Sequence, residues 1–380
     1  MILPGSTLGV LGGGQLGRMF TVAARTMGYH VVVLDPDPDS PAGALASEHL
    51  CADYRDAGAL ARMGEICAAV TVEFENVPAD SLAYLADHSL VRPGPQALAL
   101  VQDRLQEKTF LASRGFPTPP FAVVEQASQA EAAFAQVGGA GVLKVSRFGY
   151  DGKGQARVAD AREVAQAFEA MGRQTCVLER FLDLEAELSV VLARGADGAV
   201  AAFPVVENQH RHGILDRSLC PARVEPAVAD QALHMAQAIA EALDYCGVMA
   251  VEFFLLPQGR LVVNEIAPRP HNSGHFTGDA CLSSQFEQQV RALCGLPLAP
   301  TELHTPTVMV NLLGDSWSEG EPDWGALLRH NRIKLHLYGK GAARPGRKMG
   351  HYNCLGPQLA DAIALADRTQ QALKGGRWTD

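Results

Sequence analysis

No uninterrupted apolar run in this chain reaches the length of a bilayer span, and no basic segment leads into an apolar one at its start, so neither a membrane helix nor a secretory leader is expected. Eight cysteines are scattered from Cys51 to Cys354 without one C-x-x-C pair. That spacing builds neither a zinc site nor a disulfide framework; it predicts small buried hydrophobes in a reducing compartment, hence a cytoplasmic protein. Positive charge is also in deficit. A formal charge of −10 argues against a nucleic-acid binder, while leaving room for a local basic pocket. No internal repeat and no low-complexity tract interrupts a composition of 47% hydrophobic and 19% charged residues, ordinary for a globular enzyme. At 380 residues the chain exceeds one typical core, so two or three domains are expected.

Glycine, by contrast, is concentrated. "GVLGGGQLGRM" places Gly12, Gly14 and Gly17 in the G-x-G-x-x-G pattern of dinucleotide-binding folds, and "HVVVLD" ends at Asp35, about where a ribose-binding acid would sit. On these residues alone the chain reads as a dehydrogenase. The first hundred residues alternate strand-like and helical stretches ("TLGVLGGG", "QLGRMFTVAARTMG", "HVVVLD", "AAVTVEFE", "ADSLAYLAD"), which predicts a parallel sheet with right-handed crossovers. The turn-rich "RPGPQAL" is the first candidate boundary. Beyond it, consecutive strands without intervening helices predict antiparallel pairing, and a Gly- and Pro-rich tail with "TVMVNLLG" and "IKLHLYGK" predicts a small β-rich third domain. The expected divisions are 1–102, 103–298 and 299–380.

Five segments carry chemistry. In "VLKVSRFGYDGKGQ" a strand presents Lys144 ahead of a loop with Gly149, Gly152 and Gly154, whose bare amides can close over phosphate oxygens. It is not a Walker A loop, since no G-K-[ST] follows, and a plain surface loop is the competing reading. In "VLERFLDLEAELSV", Glu179 ends a strand that offers backbone groups to an adenine, and Glu187 offers a carboxylate to ribose; a solvated acidic face is the alternative. "VMAVEFFLLPQGRLVVNEI" predicts a hairpin turned at Pro257–Gly259 with Glu252 and Glu265 embedded among apolar strand residues. A four-residue loop sets Glu252 opposite Glu265, and a three-residue loop sets it opposite Asn264. Two opposed buried carboxylates call for a hard cation such as Mg²⁺ between them. In "APRPHNSGHF", Arg269, His271, Asn272, Ser273 and His275 crowd one loop; Pro270 and Gly274 spoil the helix an H-x-x-x-H zinc pair needs, so an anionic substrate is the better fit. Finally, "GKGAARPGRKMGH" gathers Lys340, Arg344, Arg347 and Lys348 into a basic cluster suited to a phosphate, or to nothing beyond solvent.

Taken in order, "GGGQLGRM", "FENVP", "GYDGKGQ", "NEIAPRPHNSGH", "SQFEQ" and "RPGRKMGHYN" resemble the N5-carboxyaminoimidazole ribonucleotide synthetase family of ATP-grasp enzymes over essentially the whole chain. The resemblance implies a Rossmann-like pre-ATP-grasp α/β domain, an α+β ATP-grasp fold and a small C-terminal domain. It implies ATP held by Arg104, Lys144, the loop Gly149, Tyr150, Asp151, Gly152, Lys153, Gly154 and Gln155, the strand Glu179, Arg180, Phe181 and Leu182, and by Glu187, His210, Asn264 and Glu265. It implies Mg²⁺ on Glu252 and Glu265, and the ribonucleotide on Gln15, Leu16, Glu75, Asn272, Lys340, Arg347 and Lys348. Where many ATP-grasp enzymes carry a metal-binding Asn two residues past the second Glu, this chain has Ala267, and Asn264 stands as the substitute. The implied reaction joins bicarbonate to aminoimidazole ribonucleotide at the cost of ATP in purine biosynthesis, through carboxyphosphate. Lys144 would act on the moving phosphoryl group, Arg269 on the carboxyphosphate, and His271 or Asp151 on the amine proton. The glycine loop at the start would then serve the sugar phosphate and not a dinucleotide. A homodimer is expected, with no nucleic-acid or membrane partner. A formate-using ligase of the same fold and a non-catalytic nucleotide-binding module are the remaining rivals; "HNSGH" and "GRKMGH" argue against the first, and the basic cluster from Lys340 to Lys348 against the second.

Overall fold

The computed structural model describes residues 1–147, 149 and 154–373. Its first unit runs β1 (Thr7–Leu11), α1 (Gln15–Thr26), β2 (His30–Leu34), β3 (Glu48–Leu50), α2 (Ala57–Ile66), β4 (Ala69–Val72), α3 (Ala79–Ala86), β5 (Leu90–Val91) and α4 (Pro95–Val101). The five strands are parallel in the order β3-β2-β1-β4-β5. Buried apolar residues occupy both faces of β1, β2 and β4, as a parallel sheet covered by helices requires. The "RPGPQAL" stretch is not all turn: Pro95 opens α4, where its missing N–H costs nothing.

Helix α5 (Arg104–Ser113) follows, capped by Asp103, and leads to β6 (Phe121–Val124), α6 (Ala130–Val137), β7 (Gly141–Val145), β8 (Gln155–Val158), α7 (Ala161–Ala170) and β9 (Cys176–Arg180). These strands form an antiparallel sheet, β6-β9-β7-β8, with the glycine loop at the tip of the β7–β8 hairpin.

The largest sheet takes β10 (Ala186–Arg194), β11 (Val200–Ala202), β12 (Val206–Arg211), β13 (Ile214–Cys220), then after α8 (Pro226–Ala242) the pair β14 (Gly247–Leu256) and β15 (Arg260–Ala267). After α9 (Thr277–Ala280) and α10 (Gln285–Cys294) it adds β16 (Thr307–Leu313), and, beyond α11 (Trp324–Leu328), β17 (Ile333–Leu337) and β18 (Lys348–Leu355); α12 (Leu359–Leu373) ends the described chain. Its order is β15-β14-β10-β12-β13-β16-β18-β17, with β11 beside β10. The C-terminal strands therefore do not build a sheet of their own. They continue the central one through β13–β16 pairing, under the cover of α12.

Helix α10 joins the units. Its Phe286, Val290 and Leu293 pack on Leu16, Phe20 and Ala24 of α1. The Gln289 amide donates to Thr71 Oγ1 at 2.6 Å and accepts from Val248 N–H at 2.5 Å, tying β4 to β14.

Candidate active site

A cleft of about 1120 Å³ opens between the four-stranded sheet and the central sheet, and runs on to the carboxyl ends of β1 and β4. Strand geometry fills it in a regular way. Lys144 and Val142 face it from β7, Gln155 and Arg157 from β8, Glu187 from β10, His210 from β12, Glu252 and Phe254 from β14, and Asn264 and Ile266 from β15. On β8 and β14 these are pairs two residues apart, because side chains alternate across a strand, whereas the irregular β15 lines the cleft with Asn264, Glu265, Ile266 and Ala267 in succession. The apolar partners Val142, Phe254 and Ile266, and Arg157 with its guanidinium 4.8 Å above the Phe181 ring, were not foreseen. Reading two residues to either side of each expected polar group would have found them.

The hairpin resolves the open choice of loop length in an unexpected way. Its turn, Pro257–Gly259, has three residues, and Leu256 pairs with Arg260 and Phe253 with Val263. Continued regularly, that register sets Glu252 against Asn264. A β-bulge at Asn264 intervenes, and Glu252 lies opposite Glu265. Burial pushes the Glu252 carboxyl up, but the His271 imidazole, with Nε2 at 3.2 Å, holds it well below the usual carboxylate range. Glu265 meets Arg104 Nη2 at 3.0 Å. Between them, Asn264 donates to Glu252 at 3.3 Å through Nδ2, while its buried Oδ1 has no partner among the described residues. Two opposed carboxylates and an unpartnered amide oxygen suit a hard divalent cation, which prefers oxygen donors, so the residues present fit the metal that the motif implies.

On the phosphate side, Lys144 Nζ lies 3.1 Å from Glu179 Oε2. Glu179 is not a cleft residue. It is buried among Lys108, Lys144 and Arg104, at 3.4, 3.1 and 3.5 Å, and although burial raises its pKa, these cations pull it to about 2. Its neighbours Arg180 and Leu182 do not line the cleft either, whereas the exposed Phe181 does. Gly149 and Gln155 reach the cleft; Gly154, at φ +72°, packs against Val145. Tyr150, Asp151, Gly152 and Lys153 lie outside the described residues. His210 Nδ1 sits 3.1 Å from Glu187, and although burial opposes charge on the ring, that carboxylate raises its pKa.

At the far end, Gln15, Leu16, Glu75, Arg269, Asn272 and Lys348 share the wall. Arg269 and Glu75 are ion-paired; burial raises the Glu75 carboxyl, and Arg269 outweighs it and brings it to about 2. His271 is locked from both sides. Its Nδ1 lies 2.8 Å from Ser273 Oγ and 3.3 Å from Ser273 N, and its Nε2 faces Glu252 at 3.2 Å. Ser273 Oγ is in turn 2.8 Å from Ser189 Oγ, which accepts from Asn208. Lys340 does not line the cleft but supports it, donating to Gln15 Oε1 at 2.6 Å and to the Lys348 carbonyl at 2.8 Å. Arg347 does not line the cleft; it donates to the Ala342 carbonyl of its own loop at 2.9 Å, an oxygen that also accepts from Arg344 N–H.

The opening glycines hold something other than expected. Gly13 N–H donates to Asp35 at 2.7 Å, and Gly14 and Gly17 N–H donate to Glu73 at 2.5 and 2.7 Å. Asp35, at the ribose-acid position, also accepts from Tyr54 at 2.7 Å. A Cβ on Gly12 or Gly14 would sit 2.2 or 2.4 Å from the Glu73 side chain. The loop is bare so that two of the protein's own carboxylates can fill the anion site at the start of α1. A dinucleotide is excluded, and a sugar phosphate is left the amides of Gln15 and Leu16, which have no partner among the described residues.

A nucleotide cleft between two antiparallel sheets, with opposed acidic residues on the larger one and cations on the smaller, defines an ATP-grasp ligase. The ATP-grasp domain family matches residues 109–286, the ribonucleotide synthetase preATP-grasp domain 5–102, and the phosphoribosylaminoimidazole carboxylase C-terminal domain 307–365. The N5-carboxyaminoimidazole ribonucleotide synthase of Brucella melitensis is 45% identical over 93% of this chain and 98% of its own. That of Bacillus subtilis is 43% identical over 92% of each. A solved N5-carboxyaminoimidazole ribonucleotide synthetase in complex with ADP superposes with a TM-score of 0.92 at 39% identity, over 99% of this chain and 98% of that one. An Aspergillus clavatus synthase, solved with ADP and 5-aminoimidazole ribonucleotide, gives 0.89 at 30% identity over 97% and 99%. The chain belongs to the N5-carboxyaminoimidazole ribonucleotide synthase family.

Proposed function

We propose that the protein joins bicarbonate to the amine of 5-aminoimidazole ribonucleotide with consumption of ATP, giving N5-carboxyaminoimidazole ribonucleotide, ADP and phosphate. The observation that carries this reading is one cleft with a phosphate-handling end (Lys144, Arg104, Glu252, Glu265) continuous with a second anion-binding end (Gln15, Leu16, Asn272, Lys348). Glu252, Glu265 and Asn264 would hold Mg²⁺, which when bound neutralises phosphate charge as the phosphoryl group moves.

Bicarbonate is a poor electrophile. An oxygen of bicarbonate attacks the γ-phosphorus, the bond to ADP breaks, and carboxyphosphate forms. The amine nitrogen then attacks the carboxyl carbon, the C–O bond to phosphate breaks, and phosphate leaves, taking up the proton that the amine sheds. Lys144 and Arg104 offer fixed positive charge to the first step, and Arg269, at the junction of the two ends, to the second. His271, whose Nε2 faces Glu252, or Asp151 would carry the amine proton. Steady-state ADP release tests the assignment. Release that requires bicarbonate and 5-aminoimidazole ribonucleotide together is expected; equal release with formate in place of bicarbonate would overturn it in favour of a formate-using ligase.

A further inference from the structure

The bulge that brings Glu252 and Glu265 face to face has a physical cost. It sits in β15, the edge strand of the central sheet, and a bulged residue on an edge leaves backbone groups without ladder partners. Two consecutive side chains of α5 take them. Lys108 Nζ donates to the Asn264 carbonyl at 2.6 Å, and Glu107 Oε1 accepts from Ile266 N–H at 2.5 Å. Those groups belong to the two peptide bonds that flank Glu265. The same helix also supplies Arg104, whose guanidinium holds the Glu265 carboxylate. Lys108 is fully buried, where it also pairs with Glu179 at 3.4 Å, and Glu107 is 3% exposed, an expensive placement for a carboxyl unless its bond fixes something an apolar group could not.

We infer that Glu107 and Lys108 are positioning residues, holding the β15 bulge so that Glu252 and Glu265 converge on one divalent cation. The inference rests on the metal assignment made above. Glu107 acts through its reach to the Ile266 amide, so an acceptor of the same length preserves the site and a shorter one does not. Glu107→Gln keeps Oε1 in place and gives up the charge; Glu107→Asp keeps the charge and withdraws the oxygens by one methylene.

The test is Mn²⁺ binding to the ADP complex, read from the free-ion resonance signal, together with amide exchange across residues 262–267. Glu107→Asp is expected to weaken Mn²⁺ about tenfold or more and to speed exchange in that segment, as loss of support behind a metal ligand does elsewhere. Glu107→Gln is expected to match the wild type in both readouts, and Lys108→Met, which removes the donor to Asn264, to behave like Glu107→Asp. Glu265→Gln is the reference. If it binds Mn²⁺ as the wild type does, the metal assignment falls and this inference with it. If Glu265→Gln loses the ion while Glu107→Asp keeps wild-type affinity and exchange, or Glu107→Gln fails as badly as Glu107→Asp, the positioning role alone is overturned.

Discussion

Glu179 shows how far a side chain's surroundings can lie from its sequence pattern. In the sequence it ends a strand that could face adenine or solvent; in the fold it is buried among three cations. Its partners Arg104 and Lys108 come from a helix more than seventy residues earlier, and nothing in local spacing announces them. Its physics gives a pH dependence. The carboxyl is held at about 2 in the folded protein against an ordinary 4.5, so it contributes stability above 4.5 that is lost as pH falls towards 2. The contribution is on the order of 3 kcal/mol. Urea unfolding across that acid window is expected to show a shallower decline for Glu179→Gln than for the wild type. Parallel declines would mean that the three cations do not hold the carboxylate. Glu265→Gln is the companion change on the other wall: a neutral amide is a poor ligand for a hard cation, so turnover should vanish while the melting temperature holds.

Elements were more legible than residues wherever a local period or turn specified them. Strands β1, β2 and β4, helices α1 and α3, and the place of the β14–β15 turn follow from such signals; β3, α2, β5, α4 and the number of residues in that turn do not. The bulge does not, because α5 imposes it from far along the chain. The fifteen-residue α12 was missed as well, being masked by the Gly- and Pro-rich stretch ahead of it. The glycine pattern opening α1 was legible as an anion site but not as one already filled, since Glu73 arrives from the end of another strand. This yields a prediction against ordinary propensity. Replacing a helical glycine by alanine usually stabilises by about 0.5–1 kcal/mol. At Gly17 the added Cβ would lie 2.6 Å from the Gly12 carbonyl oxygen, a backbone atom that cannot step aside cheaply. Gly17→Ala should therefore destabilise, by about 1–3 kcal/mol on denaturant unfolding. A neutral or stabilising result would show that the loop is looser than its packing implies.

At the scale of the molecule, the two ends of the chain meet over one cleft. Lys340 reaches back to Gln15, Arg269 to Glu75, and the C-terminal strands extend the sheet that carries the acidic pair. The division into a nucleotide end and a ribonucleotide end predicts separable kinetics. Lys348→Ala should raise KM for 5-aminoimidazole ribonucleotide about tenfold to a hundredfold, the worth of a charge-assisted phosphate contact, and leave KM for ATP nearly unchanged. Equal effects on both substrates would dissolve the division. The central claim is that the cleft passes phosphate through bicarbonate before carbon reaches the amine. Oxygen-18 labelled bicarbonate tests it most directly, with the phosphate formed in a single turnover analysed by mass spectrometry. The account predicts one bicarbonate oxygen in each phosphate, carried there when carboxyphosphate breaks its C–O bond. Phosphate free of the label would contradict it, because the phosphoryl group would then have gone to some other acceptor.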